Sequence, residues 1–318
     1  MNMNMNMNMN NKNIKNKKNV KYSKNIGSLI YDIFIHINML FVLAITLYPF
    51  IYTLSMSISK PIYAAQNSVY LFPKGLSLES YRIVMQNGEI WKAYYNTIWY
   101  TVVGTIINVL LTMISAYPLS RKTYFARDFL LKMVALTMFF GGGLIPSFIL
   151  IRDLHLYNTR WAMILPGAIS AWNLIIARTY LQTIPDSLHE SAKIDGANDI
   201  LILFKIILPL SMPVIAVLTL YYAVGHWNSY FNAMLYLPNN DLQPLQIYLR
   251  KVLILQSQQG VTDSNSSAVQ ISSAFDRSLA MVQLKYSVII VTILPILTVY
   301  PFLQKYFVKG VMIGAIKG

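Results

Sequence analysis

The chain carries four histidines (His36, His155, His189, His226) and twelve acids (Asp32, Glu79, Glu89, Asp128, Asp153, Asp186, Glu190, Asp195, Asp199, Asp241, Asp263, Asp276). An acid–base pair, an activated nucleophile or a metal site would have to be built from these groups. Their spacing builds none. His189-Glu190 opens the zinc pattern H-E-x-x-H, but the second imidazole, needed one turn further along the same helical face, is replaced by Lys193. His226 and Ser229 share a helical face without an orienting acid nearby, so they read as packing and hydrogen-bonding partners rather than as base and nucleophile. The absence of cysteine removes disulfides and thiolate metal sites. No G-x-x-x-x-G-K-[ST] loop occurs, so the chain shows no means of using ATP by itself.

The elements that hold these residues are apolar. Of 318 residues, 55% are hydrophobic and 12% charged, against about 25% charged in soluble domains. A membrane-crossing helix needs ~20 mostly apolar residues. Six stretches qualify: Ile33–Ile58, Thr97–Leu119, Phe129–Ile151, Trp161–Leu181, Pro213–Leu237 and Ser287–Phe307. The expected fold is an all-α membrane protein with six spans. None of the twelve acids falls in mid-span, which argues against a proton- or cation-coupled carrier.

The formal charge is +14, and much of it sits in a tail with Lys12, Lys15, Lys17, Lys18, Lys21 and Lys24. Basic flanks beside a first span hold that end in the cytoplasm, so the excess reads as a solvated, topological tail and not as a nucleic-acid surface, with direct binding of membrane lipid or RNA as the minor alternative. Residues 1–27, opening on a Met-Asn repeat, form a disordered tail, and residues 28–318 form one transmembrane domain. Six spans then return the C-terminus to the cytoplasm. Ser120–Asp128, Gln182–Met212 and Gln304–Gly318 lie inside; Ser59–Asn96, Arg152–Arg160 and Pro238–Tyr286 lie outside, with Gln256–Ser273 mobile. Pro49, Pro118, Pro146, Pro166, Pro295 and Pro301, and the triplet Gly141-Gly142-Gly143, interrupt spans or their ends. They read as kinks or as flexible points that rearrange during transport.

The segment 182–212 is more elaborate than a connection needs to be. Asp186 and Glu190 suit the positive end of a helix that begins after Pro185. Leu188 and Ala192 fall on one face of that helix. Gly196 supplies a turn that a side chain would hinder. Asn198 caps a second helix running to Leu208, with Leu201, Phe204, Ile207 and Leu208 as its apolar stripe. Pro209 and Pro213 mark the return to the apolar phase. Such a loop is shaped to dock onto something outside the membrane.

Glu190-Ser-Ala-Lys-Ile-Asp-Gly-Ala197, followed by Ile207-Leu-Pro-Leu-Ser-Met-Pro213, resembles the EAA loop of ABC importer permeases, E-A-A-x-x-x-G and then I-x-L-P. Ser191 departs from the pattern as one small residue for another. Thr97–Arg121, Phe139-Phe-Gly-Gly-Gly-Leu-Ile-Pro146, Tyr222-Ala-Val-Gly-His-Trp-Asn228 and the ending Tyr306–Gly318 are similar to MalG-like sugar permeases, in particular the branch that works with lipoprotein-type binding proteins on oligosaccharides. The resemblance covers residues 28–318, with a type I importer core at about 94–302. It implies a non-catalytic subunit of a plasma membrane, which the absence of cysteine and the Asn/Lys/Ile-rich usage point to as Gram-positive, and a set of partners: a second homologous permease, two ABC ATPase subunits holding ATP and Mg, and an extracellular lipoprotein-type solute-binding protein. It implies no cofactor on this chain. It also implies that Glu190, Ser191, Ala192, Asp195, Gly196, Ala197, Leu208 and Pro209 couple to the ATPase. In that arrangement Glu190 faces a basic group, Ala192, Gly196 and Ala197 sit in a groove, and Pro209 anchors the stem.

For a solute path, the aromatic and amide residues Tyr222, Trp227, Asn228, Tyr230 and Asn232 in the fifth span, with Asn108 and Asn173 in others, suit sugars. The same residue types also mark interfaces and hold helices together. Two alternatives stand beside the importer: a membrane-embedded enzyme acting on lipid or glycan, which lacks a clustered acid, base or metal set, and a secondary carrier working alone.

Overall fold

The computed structural model describes residues 26–258 and 279–298. The basic tail, most of Gln256–Ser273 and the C-terminal segment therefore lie outside the described residues. Among the described residues no strand forms; an isolated bridge joins Ser59 to Leu76.

Among the described residues, three helices are long and apolar enough to cross a membrane unbroken: α1 (Ile26–Ile58), α4 (Gly88–Ser120) and, following the shorter α13 (Leu245–Gln258), α14 (Leu279–Thr298). Between α1 and α4 lie the short α2 (Pro61–Ala65) and α3 (Glu79–Gln86). The chain divides into two compact units, Met1–Ile51 and Tyr52–Gly318, with the boundary inside α1.

The other three expected spans are not single helices. The third is α5 (Arg127–Phe139) and α6 (Leu144–Asp153), bent by 117° across the glycine triplet. Gly143 sits there at φ +82°, in the region that glycine enters without steric cost. The fourth is a pair of 3-10 turns over Arg160–Gly167 followed by α7 (Ala171–Leu181), bent by 52°. The fifth is α11 (Met212–Trp227). At 1.5 Å per residue it rises only about 24 Å, and the chain breaks before the short α12 (Phe231–Tyr236). Pro146 and Pro166 sit beside the breaks of the third and fourth spans, and Pro213 beside the bend that opens α11, because proline removes a helical N–H and clashes with the preceding turn.

The second unit has its main core where α4, α7 and α11 meet. Val109, Met113 and Ala116 of α4 pack with Leu174, Ala177 and Leu181 of α7 and with Val214 and Leu218 of α11. A separate polar knot ties the end of α1 to α14. The Gln283 side-chain amide donates to Ser57 O (3.0 Å) and Ser77 O (3.1 Å), and the Ser80 and Ser287 hydroxyls share a 2.6 Å bond.

Candidate functional site

The 182–212 loop is built as an extension of the bundle. Helix α8 (Asp186–Ile194) carries Asp186 in its first turn, and the Oδ1 of Asp186 accepts from Arg121 at 3.1 Å. Arg121 in turn stands over the Tyr117 ring, 5.1 Å from its centroid. Asp186 lies 65 positions from Arg121, beyond any local signal.

Helix α8 ends in a Schellman motif. Ala197 N donates to Ala192 O (2.9 Å) and Gly196 N to Lys193 O (3.0 Å), with Gly196 at φ +80°. Asn198 caps α9 (Asp199–Ile202), its Oδ1 accepting from Leu201 N at 2.8 Å. Both features were expected from the residue types. The second helix, however, does not keep α spacing. Leu203–Ile207 form a π turn, and α10 (Leu208–Leu210) completes the stem. The wide turn aligns residues five apart. The buried face is therefore Ile202, Leu203 and Ile207, while Leu201 and Phe204 of the expected stripe are exposed. Leu208 is partly buried against the core, and Pro209 is exposed.

Ala192, Ile202, Leu203 and Ile207 belong to the same core as α4, α7 and α11. Ala192 is thus used inside the chain rather than offered to a groove, and Ala197 is half-buried. The surface left outward is Glu190, Ser191, Asp195, Gly196 and Ile194, the last 86% exposed. Glu190 makes no ion pair among the described residues.

Asp199 locks the two halves of the loop, accepting from Lys193 Nζ at 2.9 Å and meeting His189 Nε2 at 3.2 Å. The Lys193 hydrogen bond, aided by His189, holds the Asp199 carboxyl below its usual 3.8. A depressed carboxylate contributes stability above its unfolded value and loses it as pH falls through the lower folded value. For a pair this exposed the contribution is at most ~1 kcal/mol. The expected outcome is that amide-exchange protection at Gly196 and Ala197 in the wild type exceeds that in Asp199→Asn by a constant, small margin from pH 7 to 5. The two proteins begin to converge below pH 3.8 and coincide only once the pH has passed the lower folded value.

The residues singled out for solute divide into two groups. Asn108 and Tyr222 are buried and hydrogen-bonded within the chain. Asn108 Nδ2 donates to Gly167 O (2.9 Å) and Ala168 O (2.8 Å), and its Oδ1 meets His226 Nε2 at 2.7 Å. Tyr222 Oη accepts from Ser170 N (3.1 Å) and shares a 2.7 Å bond with Thr112. Asn173 is buried in α7, and Trp227 packs among Val84, Ile90, Leu245 and Val288. Asn228, Tyr230 and Asn232 are exposed. The structure adds two features the sequence reading missed. Gly104 approaches His226 closely. At the N-terminal end of α4, the Arg160 guanidinium stacks on Trp99 (4.9 Å) and Tyr95 (5.4 Å) and donates to Asn96 Oδ1 (3.1 Å).

Residues 19–313 match the family described as the binding-protein-dependent transport system inner membrane component. The chain belongs to that family. It is a permease, a membrane-embedded, non-catalytic component of an ABC importer that works with an ATPase and a solute-binding protein. The permease is 42% identical over 275 residues to Protein LplC of Bacillus subtilis (86% of this chain, 90% of the relative). It is 39% identical over 289 residues to the polygalacturonan/rhamnogalacturonan transport system permease protein YtcP of the same organism (91% and 99%). A crystal structure of a bacterial ABC transporter involved in the import of the acidic polysaccharide alginate superposes with a TM-score of 0.80 at 34% identity, covering 89% of the permease and 98% of that chain.

Proposed function

We propose that this permease forms half of the pore of an oligosaccharide importer and that its 182–212 loop, facing the cytoplasm, receives the ATPase. The observation that carries this reading is a helix–turn–helix rooted in the same core as three spans, yet leaving Glu190, Ser191, Ile194, Asp195 and Gly196 outward. A side chain rooted in a packed core moves with it, since close-packed interiors transmit displacement. The partners are a second related permease, two ATPases each holding ATP and Mg and each taking one loop, and a lipoprotein-type binding protein outside. Closure of the ATPases brings the two loops together and switches the pore between inward- and outward-facing by rigid-body movement. With both chain ends in the cytoplasm, Arg160 of the fourth span's 3-10 turns and its aromatic partners Tyr95 and Trp99 on α4 stand near the outer face.

Oligosaccharides bearing uronates are the favoured cargo. Two relatives are named for acidic polymers, and an arginine backed by two aromatic rings can pair a carboxylate while sugar faces stack beside it. In proteoliposomes holding both permeases, the ATPases and the binding protein, oligogalacturonate is expected to accumulate only with ATP and magnesium. Unlabelled acidic oligosaccharide should compete at least tenfold better than a neutral oligosaccharide of equal length. Accumulation without the ATPase overturns the importer reading; equal competition overturns the acidic-cargo reading alone.

A further inference from the structure

The fourth span breaks between its 3-10 turns and α7, which frees backbone groups at Gly167, Ala168 and Ser170. In a membrane interior each such group left unpaired costs several kcal/mol. Two neighbouring helices satisfy them, and they do so in register. Asn108 and Thr112 lie one turn apart on α4, and Tyr222 and His226 lie one turn apart on α11. The two carbonyls at 2.9 and 2.8 Å can be met only by the Asn108 amide nitrogen, so its oxygen must face His226, and His226 must donate from Nε2. Tyr222 accepts from the Ser170 N–H at the first turn of α7 and is itself held by Thr112. Asn108 and Thr112 are fully buried. Helix α11 is the direct continuation of the loop's stem, bent from it by 82° at Ser211.

We propose that Asn108, Tyr222 and His226 are positioning residues that register the break of the fourth span to α11, so that displacement of the 182–212 loop moves the break. The inference rests on the coupling role assigned to that loop. A stem pushed sideways carries α11 with it, and α11 holds Ser170 directly through Tyr222 and the Gly167 and Ala168 carbonyls through His226 and Asn108. Among the described residues, no other hydrogen bond connects α11 to the break. If these bonds serve only to glue helices, their loss lowers uptake and ATP hydrolysis together, through less assembled complex. If they transmit movement, hydrolysis persists and uptake per ATP falls.

The test uses the complete reconstituted transporter. Solute taken up per ATP hydrolysed is measured for wild type, Tyr222→Phe, His226→Phe and His226→Gln, each normalised to assembled complex. Tyr222→Phe deletes only the hydroxyl, His226→Phe deletes the donor while keeping a ring, and His226→Gln restores an N–H donor. The expected result is a fall of at least threefold in uptake per ATP for both Phe variants, with His226→Gln recovering most of it. An unchanged ratio in both Phe variants overturns the proposal, as does failure of His226→Gln to exceed His226→Phe. If either Phe variant does not assemble, Thr112→Val, which removes one support of Tyr222 from the other side, is expected to lower the same ratio; no change there also overturns the proposal. A wild-type complex that shows no ATP-driven uptake would instead refute the importer reading on which the inference rests.

Discussion

Gly196→Asp is expected to lower ATP-driven uptake by tenfold or more while the subunit still inserts and assembles into the importer. Gly196 sits at φ +80°, where a residue with a Cβ bears roughly 1–2 kcal/mol of strain. The strain alone does not unfold the loop, because Asp and Asn enter this region more readily than other residues. A Cβ placed there meets nothing within 4 Å in the chain itself. The damage therefore falls on what approaches from outside: a carboxylate buried in a contact without a partner charge is strongly unfavourable. Gly196→Asn has the same shape without the charge and is expected to lose less. Uptake and ATP hydrolysis measured side by side in proteoliposomes check both variants. Wild-type uptake by an assembled Gly196→Asp complex would remove the turn from the coupling surface.

The second large effect is expected at Gly104, and it is one of stability. A Cβ built there stands 2.5 Å from His226 Nε2, 2.7 Å from Cε1 and 2.9 Å from Cδ2, closer than carbon and nitrogen tolerate. The ring is held by Asn108 at 2.7 Å, so Gly104→Ala must either strain the α4–α11 contact or break that bond. Overpacking of this kind costs about 1–3 kcal/mol, and a lost hydrogen bond adds about 1 kcal/mol. Thermal unfolding of the detergent-solubilised complex should show a clear drop for Gly104→Ala. The double variant Gly104→Ala/His226→Ala should be less destabilised than the sum of the single changes, since the clash disappears with the ring. Strict additivity would show that the two residues do not press on each other.

How far a feature could be read from the sequence follows from how local its cause is. The Gly196 turn and the Asn198 cap are settled within five residues by backbone sterics and one side-chain bond, and both stand where residue types put them. The breaks beside the glycine triplet and the prolines were legible as interruptions, because Gly and Pro act on their own turn. Their bends of 117° and 52° were not, because neighbouring helices set the direction of the next segment. The buried stripe of the loop was misjudged for a related reason. An α period over Leu201–Leu208 selects Leu201 and Phe204 with Ile207 and Leu208; Ile207 and Leu208 do pack on the core, but the π turn widens the spacing and turns Ile202 and Leu203 inward in place of Leu201 and Phe204. Nothing in the residue types announces that extra residue; packing on α4, α7 and α11 selects it.

The sequence by itself determined that this chain is helical, that it lives in a membrane, and that it carries no catalytic set or nucleotide loop. Those properties follow from composition, from run length and from the spacing of a few polar residues. The tertiary structure alone decided that Ala192 is core, that Arg121 holds Asp186, and that Asn108, Tyr222 and His226 serve a broken span. The reason is physical. A polar side chain inside an apolar bundle must find a partner, and which partner it finds depends on chain segments 52 to 118 positions away brought together only by folding.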